Sequence, residues 1–166
     1  MKKIIIISSI IISILVINKE NEIIIPKEAI RFRVIANSNS EQDQIIKKEI
    51  VKSLSKEIIT PNIKNIDEER IFLKENLPKF TKTVKKTLTD NNYSSKFDIN
   101  YGKNYFPEKT YRNITYPEGE YESLVVTIGN GQGKNFWCVL FPPLCLIDED
   151  TESYPSLIKE IINKYF

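Results

Sequence analysis

Three glutamates near the middle of the chain have types and spacing that could do chemistry. Glu118, Glu120 and Glu122 alternate with other residues at the period of a β-strand, so all three would face one side. Two neighbouring carboxyl groups can act as the general acid and the general base of a hydrolase. Three like charges on one face are more typical of a solvated sheet edge. The spacing therefore leaves a carboxylate-dependent hydrolase as an alternative function.

Histidine, which supplies most general bases, is absent from the sequence. Without it, a nucleophilic Ser or Cys lacks its usual partner and a metal ion lacks its commonest ligand. The two cysteines cannot complete a structural zinc site by themselves. We therefore predict that the chain is not an enzyme, with no catalytic residue, no cofactor-binding residue and no metal site.

The charge balance argues against nucleic acid as a partner. The chain has 24 basic and 22 acidic residues, a net charge of +2, whereas nucleic-acid-binding domains concentrate basic residues on one face. The lysines clustered at residues 79–86 are typical of a solvated helix face. No feature of the sequence indicates a small-molecule substrate.

The N-terminus predicts export. Lys2 and Lys3 precede an apolar run at residues 4–17, which as a helix would be about 21 Å long, short of the roughly 30 Å hydrocarbon core. This pattern is typical of a signal peptide, but the residues after it offer no A-x-A-like cleavage site. We predict a signal peptide or membrane anchor at residues 1–22, with a buried N-terminal helix as the alternative, and a single secreted domain at residues 23–166.

Residues 136–145 contain the only tryptophan, both cysteines and a Pro-Pro pair. The apolar first half predicts a buried strand, which Pro142 and Pro143 would end because neither can donate a ladder hydrogen bond. Outside the cytoplasm, Cys138 and Cys145 could form a disulfide across this corner. Two buried free thiols are the alternative.

A glycine-rich stretch precedes that strand. Gly129, Gly131 and Gly133 could cradle a phosphate if a helix N-terminus followed them. Because a strand follows instead, the stretch predicts the turn of a hairpin that joins residues 120–129 to residues 136–141.

Alternation of apolar and polar residues predicts the strands. Ile30, Phe32 and Val34 alternate with Arg31 and Arg33, which is the period of a half-buried strand. The other predicted strands are residues 97–101, 120–129 and 136–141, with a linker at residues 18–28 and an irregular loop at residues 111–117.

Helical periodicity predicts the remaining elements. Apolar residues recur every four positions after the N-cap candidate Ser40 and predict an amphipathic helix that ends near Thr60. A second helical region covers residues 67–90, where Pro78 either kinks one helix or begins another. With a last short helix at residues 155–166, the pattern predicts an α+β fold: an antiparallel sheet with two or three helices packed on one face.

Three segments together form a more specific pattern. They are residues 30–40 (IRFRVIANSNS) followed by Asp43 and Gln44, residues 116–122 (YPEGEYE) and residues 136–145 (FWCVLFPPLC). In this order and at this spacing, over residues 26–150, the chain resembles the stage II sporulation protein R family of endospore-forming bacteria. It departs from the family where Phe136 replaces an expected tryptophan and where the leader lacks a clear cleavage signal.

The resemblance implies a secreted signalling protein. Such proteins are made in the forespore, cross its membrane and act between the forespore and mother-cell membranes. There they activate a membrane-embedded aspartic protease of the mother cell, stage II sporulation protein GA, which processes the sigma-E precursor. On this interpretation the chain is a ligand, the catalytic carboxylates belong to its partner, and the N-terminal segment keeps it close to the membrane.

The corner after the last predicted strand is the first candidate for the receptor contact. Pro142, Pro143 and Leu144 lie outside the ladder, so we expect a rigid, exposed apolar tip that loses little entropy on binding. Trp137 belongs to the residue type most enriched in interface hot spots. Alternatively, Trp137 and Phe141 share a strand face and both anchor the core.

Arg31 and Arg33 form a second candidate contact surface, because alternation points them away from the buried side of their strand. Two other functions remain as alternatives to the signalling interpretation. One is an extracytoplasmic carboxylate-dependent hydrolase, and the other is a cell-wall-binding module that uses Trp137 and the tyrosines.

Overall fold

Helices and two β-sheets make up the parts of the chain that the computed structural model describes, residues 23–59, 63–111, 114–146 and 154–166. The predicted leader at residues 1–22 lies outside them. The α+β class predicted from the sequence is confirmed. In chain order, the elements are β1 (Ile23–Ile24), β2 (Ile30–Ile35), α1 (Glu41–Ile58), α2 (Ile66–Asp90), β3 (Phe97–Phe106), β4 (Lys109–Tyr111), β5 (Ile114–Tyr116), β6 (Gly119–Ile128), β7 (Asn135–Phe141), a 3₁₀ turn (Leu144–Leu146) and α3 (Tyr154–Tyr165).

The main sheet has four strands in the order β3-β6-β2-β7. Strands β3 and β6 pair antiparallel, as do β2 and β7, but β2 pairs with β6 in parallel, so the sheet is mixed. The predicted hairpin between β6 and β7 is wrong, because β2 lies between them. The glycine-rich stretch crosses the end of β2 instead, where Gln132 N and Gly133 N donate to the carbonyl oxygens of Asn37 and Ala36 at 3.0 and 2.9 Å.

Helices α1 and α2 cover one face of this sheet. The alternate residues Phe32, Val34, Leu124 and Val126 point into a core that these helices close. Helix α1 begins at the predicted N-cap, because Asp43 N donates to Ser40 Oγ at 3.2 Å. Removing these side chains from water provides most of the stabilisation of such a layered fold.

The second predicted helical region is one helix, α2, and not two. It runs without a break from Ile66 to Asp90 with Pro78 inside it, and Asn65 caps its first turn by accepting from the backbone N–H groups of Asp67 and Glu68. Leu73, Phe80, Val84 and Leu88 form its buried stripe.

A second, smaller sheet of order β1-β5-β4 packs at the opposite face. Strand β1 runs parallel to β5, and β4 pairs antiparallel with it. Ile25 and Ile114 are buried with Val139 of β7 and with Ile158 of α3. The prediction of a linker at residues 18–28 and of an irregular loop at residues 111–117 is therefore wrong where β1 and β5 occur, because strands of two or three residues are too short to show alternation.

The register of β7 shifts by one residue near its end. Val139 pairs with Arg31, but Phe141, two positions later, pairs with Ile30, the next residue along. This bulge places Phe141 in the core under the helices, whereas Val139 stays on the opposite face. The expectation that Trp137 and Phe141 share one face is therefore wrong.

Candidate functional site

A cluster of arginines and aromatic rings occupies the sheet face opposite the two long helices. We call it the arginine–aromatic face, and define it by Arg31, Arg33, Phe106, Tyr121 and Trp137. Strand alternation alone places the arginines there, since the residues between them point into the core. The sequence-based prediction that they point away from that core is confirmed.

Arg31 lies at the centre of this face and is 3% exposed. Its guanidinium carbon stands 3.3 Å from the ring centre of Tyr121 and 5.3 Å from that of Phe106. One nitrogen, Nη2, donates to the carbonyl oxygen of Pro117 at 3.4 Å, while the buried Nε has no hydrogen-bond partner. Burial lowers the pKa of Arg31, because the charged form loses water.

Arg33 lies beside it and is half-buried. Its guanidinium carbon is 4.4 Å from the ring centre of Trp137, and Nη1 donates to the carbonyl oxygen of Tyr105 at 3.5 Å. When the Asn135 amide oxygen faces it, this oxygen accepts from Arg33 Nη2 at 2.8 Å. Burial lowers the pKa of Arg33 as well. Its polar partners are thus neutral groups.

Among the described residues, neither arginine has a carboxylate partner. None of the ion pairs that form among the described residues includes Arg31 or Arg33. Cation–π contacts contribute about 0.5–2 kcal/mol each, whereas withdrawing a cation from water costs several kcal/mol unless an anion compensates it. The face therefore carries positive charge that no anion in the described part of the chain compensates.

Beside this face lies a groove of about 740 Å³, which we call the cationic groove. It runs between β7 and the segment around β4 and β5, and Arg31, Phe106 and Trp137 contribute to its walls. The side chains of Lys109 and Lys134 add two exposed positive charges at its edge. None of the described residues that line it is acidic, so this part of the groove is suited to an anionic ligand.

The predicted apolar tip is folded into the protein. Leu144 is 3% exposed and packs against Ile25 and Val139, and Pro142 is also buried. Only Pro143 is partly accessible. The expectation of an exposed tip is therefore wrong for two of its three residues, because the chain turns back onto the sheet after β7 as a 3₁₀ turn.

Cys138 and Cys145 are joined by a disulfide in the structure, with Cα atoms 5.7 Å apart. The bond links β7 to the 3₁₀ turn, so it fixes the path of the chain after the strand. It closes a loop of about seven residues, and the loop-entropy model gives a stabilisation of roughly 2–3 kcal/mol for so short a loop.

We expect the protein, purified without reductant, to have no free thiol. After denaturation without reductant, a maleimide should label neither Cys138 nor Cys145, and the intact mass should be about 2 Da below that of the reduced protein. Reduction should then expose two labelling sites. Full labelling before reduction would rule the disulfide out and leave two buried thiols as packing residues.

The three glutamates of the hydrolase alternative are separated by their environments. Glu122 accepts from Arg70 Nε at 2.9 Å and from the Tyr101 hydroxyl, so its charge is used in the contact between α2 and the sheet. Glu118 accepts from the hydroxyl of Tyr105 at the exposed surface, and Glu120 is exposed. Glu118 and Glu120 line one open cleft of about 540 Å³, and Glu122 is not among the described residues that line it.

Glu69 of α2 is a carboxyl group that the sequence did not single out. It is 4% exposed, its Oε1 has no hydrogen-bond partner, and burial raises its pKa to about 7. Such a pKa would suit a general acid. However, a substrate cannot reach a carboxyl group that is buried between a helix and a sheet. Because Glu69 Oε1 is buried without a hydrogen-bond partner, the residue lowers the stability of the fold.

Replacing Glu69 should change how stability depends on pH. Below about pH 4.5 the Glu69 carboxyl group is protonated in both the folded and the unfolded chain. Between about pH 4.5 and 7 only the folded chain keeps this proton, so the free energy of unfolding falls as pH rises. The fall amounts to about 3 kcal/mol at most. Glu69→Gln should flatten that part of the urea-unfolding profile, whereas Glu75→Gln at an exposed site of the same helix should not. Parallel profiles for wild type and Glu69→Gln would contradict the assignment.

A network of polar residues joins the end of β2 to the start of α1, and its role was not evident from the sequence. Asn37 Nδ2 donates to Asp43 Oδ2 at 3.0 Å, and the hydroxyl of Tyr93 donates to Asp43 Oδ1. Asn37 Oδ1 accepts from Asn130 N at 3.0 Å. We call Asn37, Asp43 and Tyr93 the asparagine latch. Hydrogen bonds, first from Ser38 and then from Tyr93, lower the pKa of Asp43.

In the described part of the chain, no group of three or more His, Cys, Asp or Glu side chains could hold a metal ion. Among the helices described, none is both long enough and apolar enough to cross a membrane.

Comparison with known proteins gives a consistent result. A family model described as Stage II sporulation protein R matches residues 26–151. The chain is 43% identical over 132 residues to the Stage II sporulation protein R of Bacillus subtilis (strain 168), a match that covers 78% of this chain and 59% of that relative. No solved structure matches the chain. The matched range includes the arginine–aromatic face, the asparagine latch and both cysteines.

Proposed function

Because the chain belongs to the stage II sporulation protein R family, we propose that it is a secreted signalling protein of endospore formation. It is made in the forespore and exported into the space between the two membranes. There it activates a membrane-embedded aspartic protease of the mother cell, stage II sporulation protein GA, which processes the sigma-E precursor. The observation that carries this proposal is the family match over residues 26–151.

Several features support a ligand rather than an enzyme. The sequence has no histidine, Glu122 is held by Arg70 and Tyr101, and Glu69 is buried. The signalling reaction needs catalytic carboxylates only in the partner. The apolar leader predicted at residues 1–22 fits export from the forespore, and a segment left uncleaved would hold the protein at the membrane.

The accessible part of the arginine–aromatic face, Arg33 and Trp137 beside the cationic groove, is the contact surface that the geometry favours. It combines tryptophan and arginine, two of the residue types that dominate interface hot spots, with charge that has no anionic partner among the described residues. Of the tip residues, only Pro143 is accessible enough to take part directly. Leu144 would act through the fold, so Leu144→Asp should unfold the protein rather than remove a contact.

The proposal is tested in sporulating cells. A strain that lacks the chain should accumulate the unprocessed sigma-E precursor, and expression in the forespore alone should restore processing. The matched control is the same chain without residues 1–22, which should be made but should not restore processing.

Two results would contradict this function. One is normal processing in the strain that lacks the chain. The other is hydrolysis of peptides or wall fragments by the purified protein that disappears on Glu118→Gln, Glu120→Gln or Glu122→Gln, because this would favour the hydrolase alternative.

A further inference from the structure

We propose that the cationic groove binds an extended, carboxylate-bearing polypeptide segment, whose carboxylates contact the exposed side chains of Lys109 and Lys134 while the buried charge of Arg31 attracts them from the wall. The segment belongs to the partner protein, and in this respect the inference rests on the proposed function. Its chemistry, an acidic peptide rather than a basic or purely apolar one, is argued from the groove itself.

The first argument is the incomplete coordination of Arg31. A guanidinium group presents five N–H donors and keeps its positive charge in proteins. Arg31 is 3% exposed, its Nη2 donates to Pro117 O at a long 3.4 Å, and its buried Nε has no hydrogen-bond partner. No anion among the described residues compensates this charge, so a carboxylate held in the groove would offset part of the cost of burying it through the electrostatic field.

The second argument is the charge around the groove. Arg33 lies next to Arg31, Lys109 and Lys134 are exposed at the edge, and no acidic side chain of the described residues lines the groove. A cleft lined by one sign of charge with apolar walls concentrates the field and attracts a ligand of the opposite sign. The groove therefore selects an acidic segment and disfavours a basic one.

The third argument is the shape of the wall. Within the described residues, β7 pairs only with β2, so its other edge has no strand partner. That edge lies beside the cationic groove, whose lining includes Lys134, Asn135 and Trp137. An extended peptide can add to a free strand edge through main-chain hydrogen bonds while its side chains enter neighbouring pockets. Phe106 and Trp137, whose ring centres are 5.1 Å apart, supply a rigid apolar surface beside the arginine.

Trp137 provides the readout, because it is the only tryptophan in the chain. The probes are overlapping twelve-residue peptides that cover the parts of the partner protease outside the membrane, each with a counterpart in which Asp and Glu become Asn and Gln. We expect saturable changes in tryptophan fluorescence of the full-length protein with one or more acidic peptides. The amide counterparts should bind at least tenfold more weakly, and added salt should weaken binding of the acidic forms.

Charge reversal outside the buried core provides the second test. The double variant Lys109→Glu/Lys134→Glu should weaken peptide binding at least tenfold and reduce sigma-E precursor processing, with an unchanged melting temperature. Lys82→Glu, an equally exposed lysine on α2, is the matched control and should behave as wild type.

The inference is overturned if acidic peptides and their amide counterparts bind equally, if none of them changes the fluorescence, or if the double variant supports normal processing. The proposed function fails separately, when a strain that lacks the chain still processes the precursor. A strain that needs the chain but tolerates the double variant would therefore refute the groove and leave the signalling role standing.

Discussion

Gly133→Ala should destabilise the protein by about 3 kcal/mol or more, the upper range for overpacking in a close-packed interior. A methyl group at this position would stand 2.1 Å from the backbone oxygen of Ser38 and 2.8 Å from Cβ of Ala36. The backbone of Ser38 would have to move to make room for the methyl group. It belongs to the same segment as Ala36, whose carbonyl oxygen accepts a hydrogen bond from Gly133 N. The measurement is the midpoint of urea unfolding, with circular dichroism as the probe.

Gly102→Ala is the matched control for this substitution. At that position the nearest atom to a new methyl group is Asn100 Oδ1, at an ordinary 3.4 Å. Because alanine loses less backbone entropy than glycine, the control should change stability by less than about 1 kcal/mol. Equal midpoints for the Gly133 and Gly102 variants would show that the loop before β7 does not cross the end of β2 as described.

Asp43→Ala should destabilise the protein by about 2–4 kcal/mol, because it leaves partners of a buried carboxylate without an acceptor. The residue is 7% exposed and accepts from the side chains of Asn37 and Tyr93. Its pKa is lowered in the folded chain, so its contribution is present above pH 4 or so and is lost as pH falls through the folded-state pKa. Thermal unfolding at pH 7 and at pH 3 measures both effects.

Two comparisons make the test of the asparagine latch specific. Asp43→Asn keeps the shape but removes the charge, so it should lose less than the alanine variant does. Asp98→Ala, at an exposed position of β3, should stay within about 0.5 kcal/mol of wild type. If Asp43→Ala melts like Asp98→Ala, the latch does not stabilise the junction between β2 and α1.

The sequence predicted best where apolar residues recur with a regular period. The expectation that β2 is only half-buried is wrong on the side of Arg31, which is 3% exposed. The four-residue repeat after Ser40 and the alternation around Phe32 each identified the correct element and its buried side. The insertion of β2 between β6 and β7 could not be predicted from the periodicity of apolar residues. A parallel pair joins segments about 90 residues apart, and its partners are chosen by tertiary packing rather than by a local turn signal.

The candidate site was predicted in part. Alternation correctly pointed Arg31 away from the helices, but it could not show that Tyr121 and Phe106 would bury the guanidinium group. The prediction of an exposed tip failed for Leu144, because proline signals only that a strand ends. Where the chain goes next depends on contacts such as those with Ile25, which directly follows β1 in a segment that the sequence predicted to be a linker.

Residues 36–40, part of one of the three segments on which the family resemblance rests, have a structural explanation in this fold. Asn37 and Asn39 accept hydrogen bonds from Asn130 N and Lys134 N, and thereby hold the loop that precedes β7. The sequence alone did not indicate these partners. Their role in placing Trp137 beside Arg33 depends on a loop more than 90 positions away in the chain.

The central claim is that the partner protease docks on the arginine–aromatic face, and site-specific crosslinking in sporulating cells tests it most directly. A photoreactive benzoylphenylalanine at position 137 preserves a large aromatic side chain there, and the same group in place of Lys82 serves as the control on the helical side. We predict an adduct with the membrane-embedded aspartic protease from position 137 and none from position 82. An adduct from position 82 alone, or from neither position while the precursor is still processed, would contradict the claim.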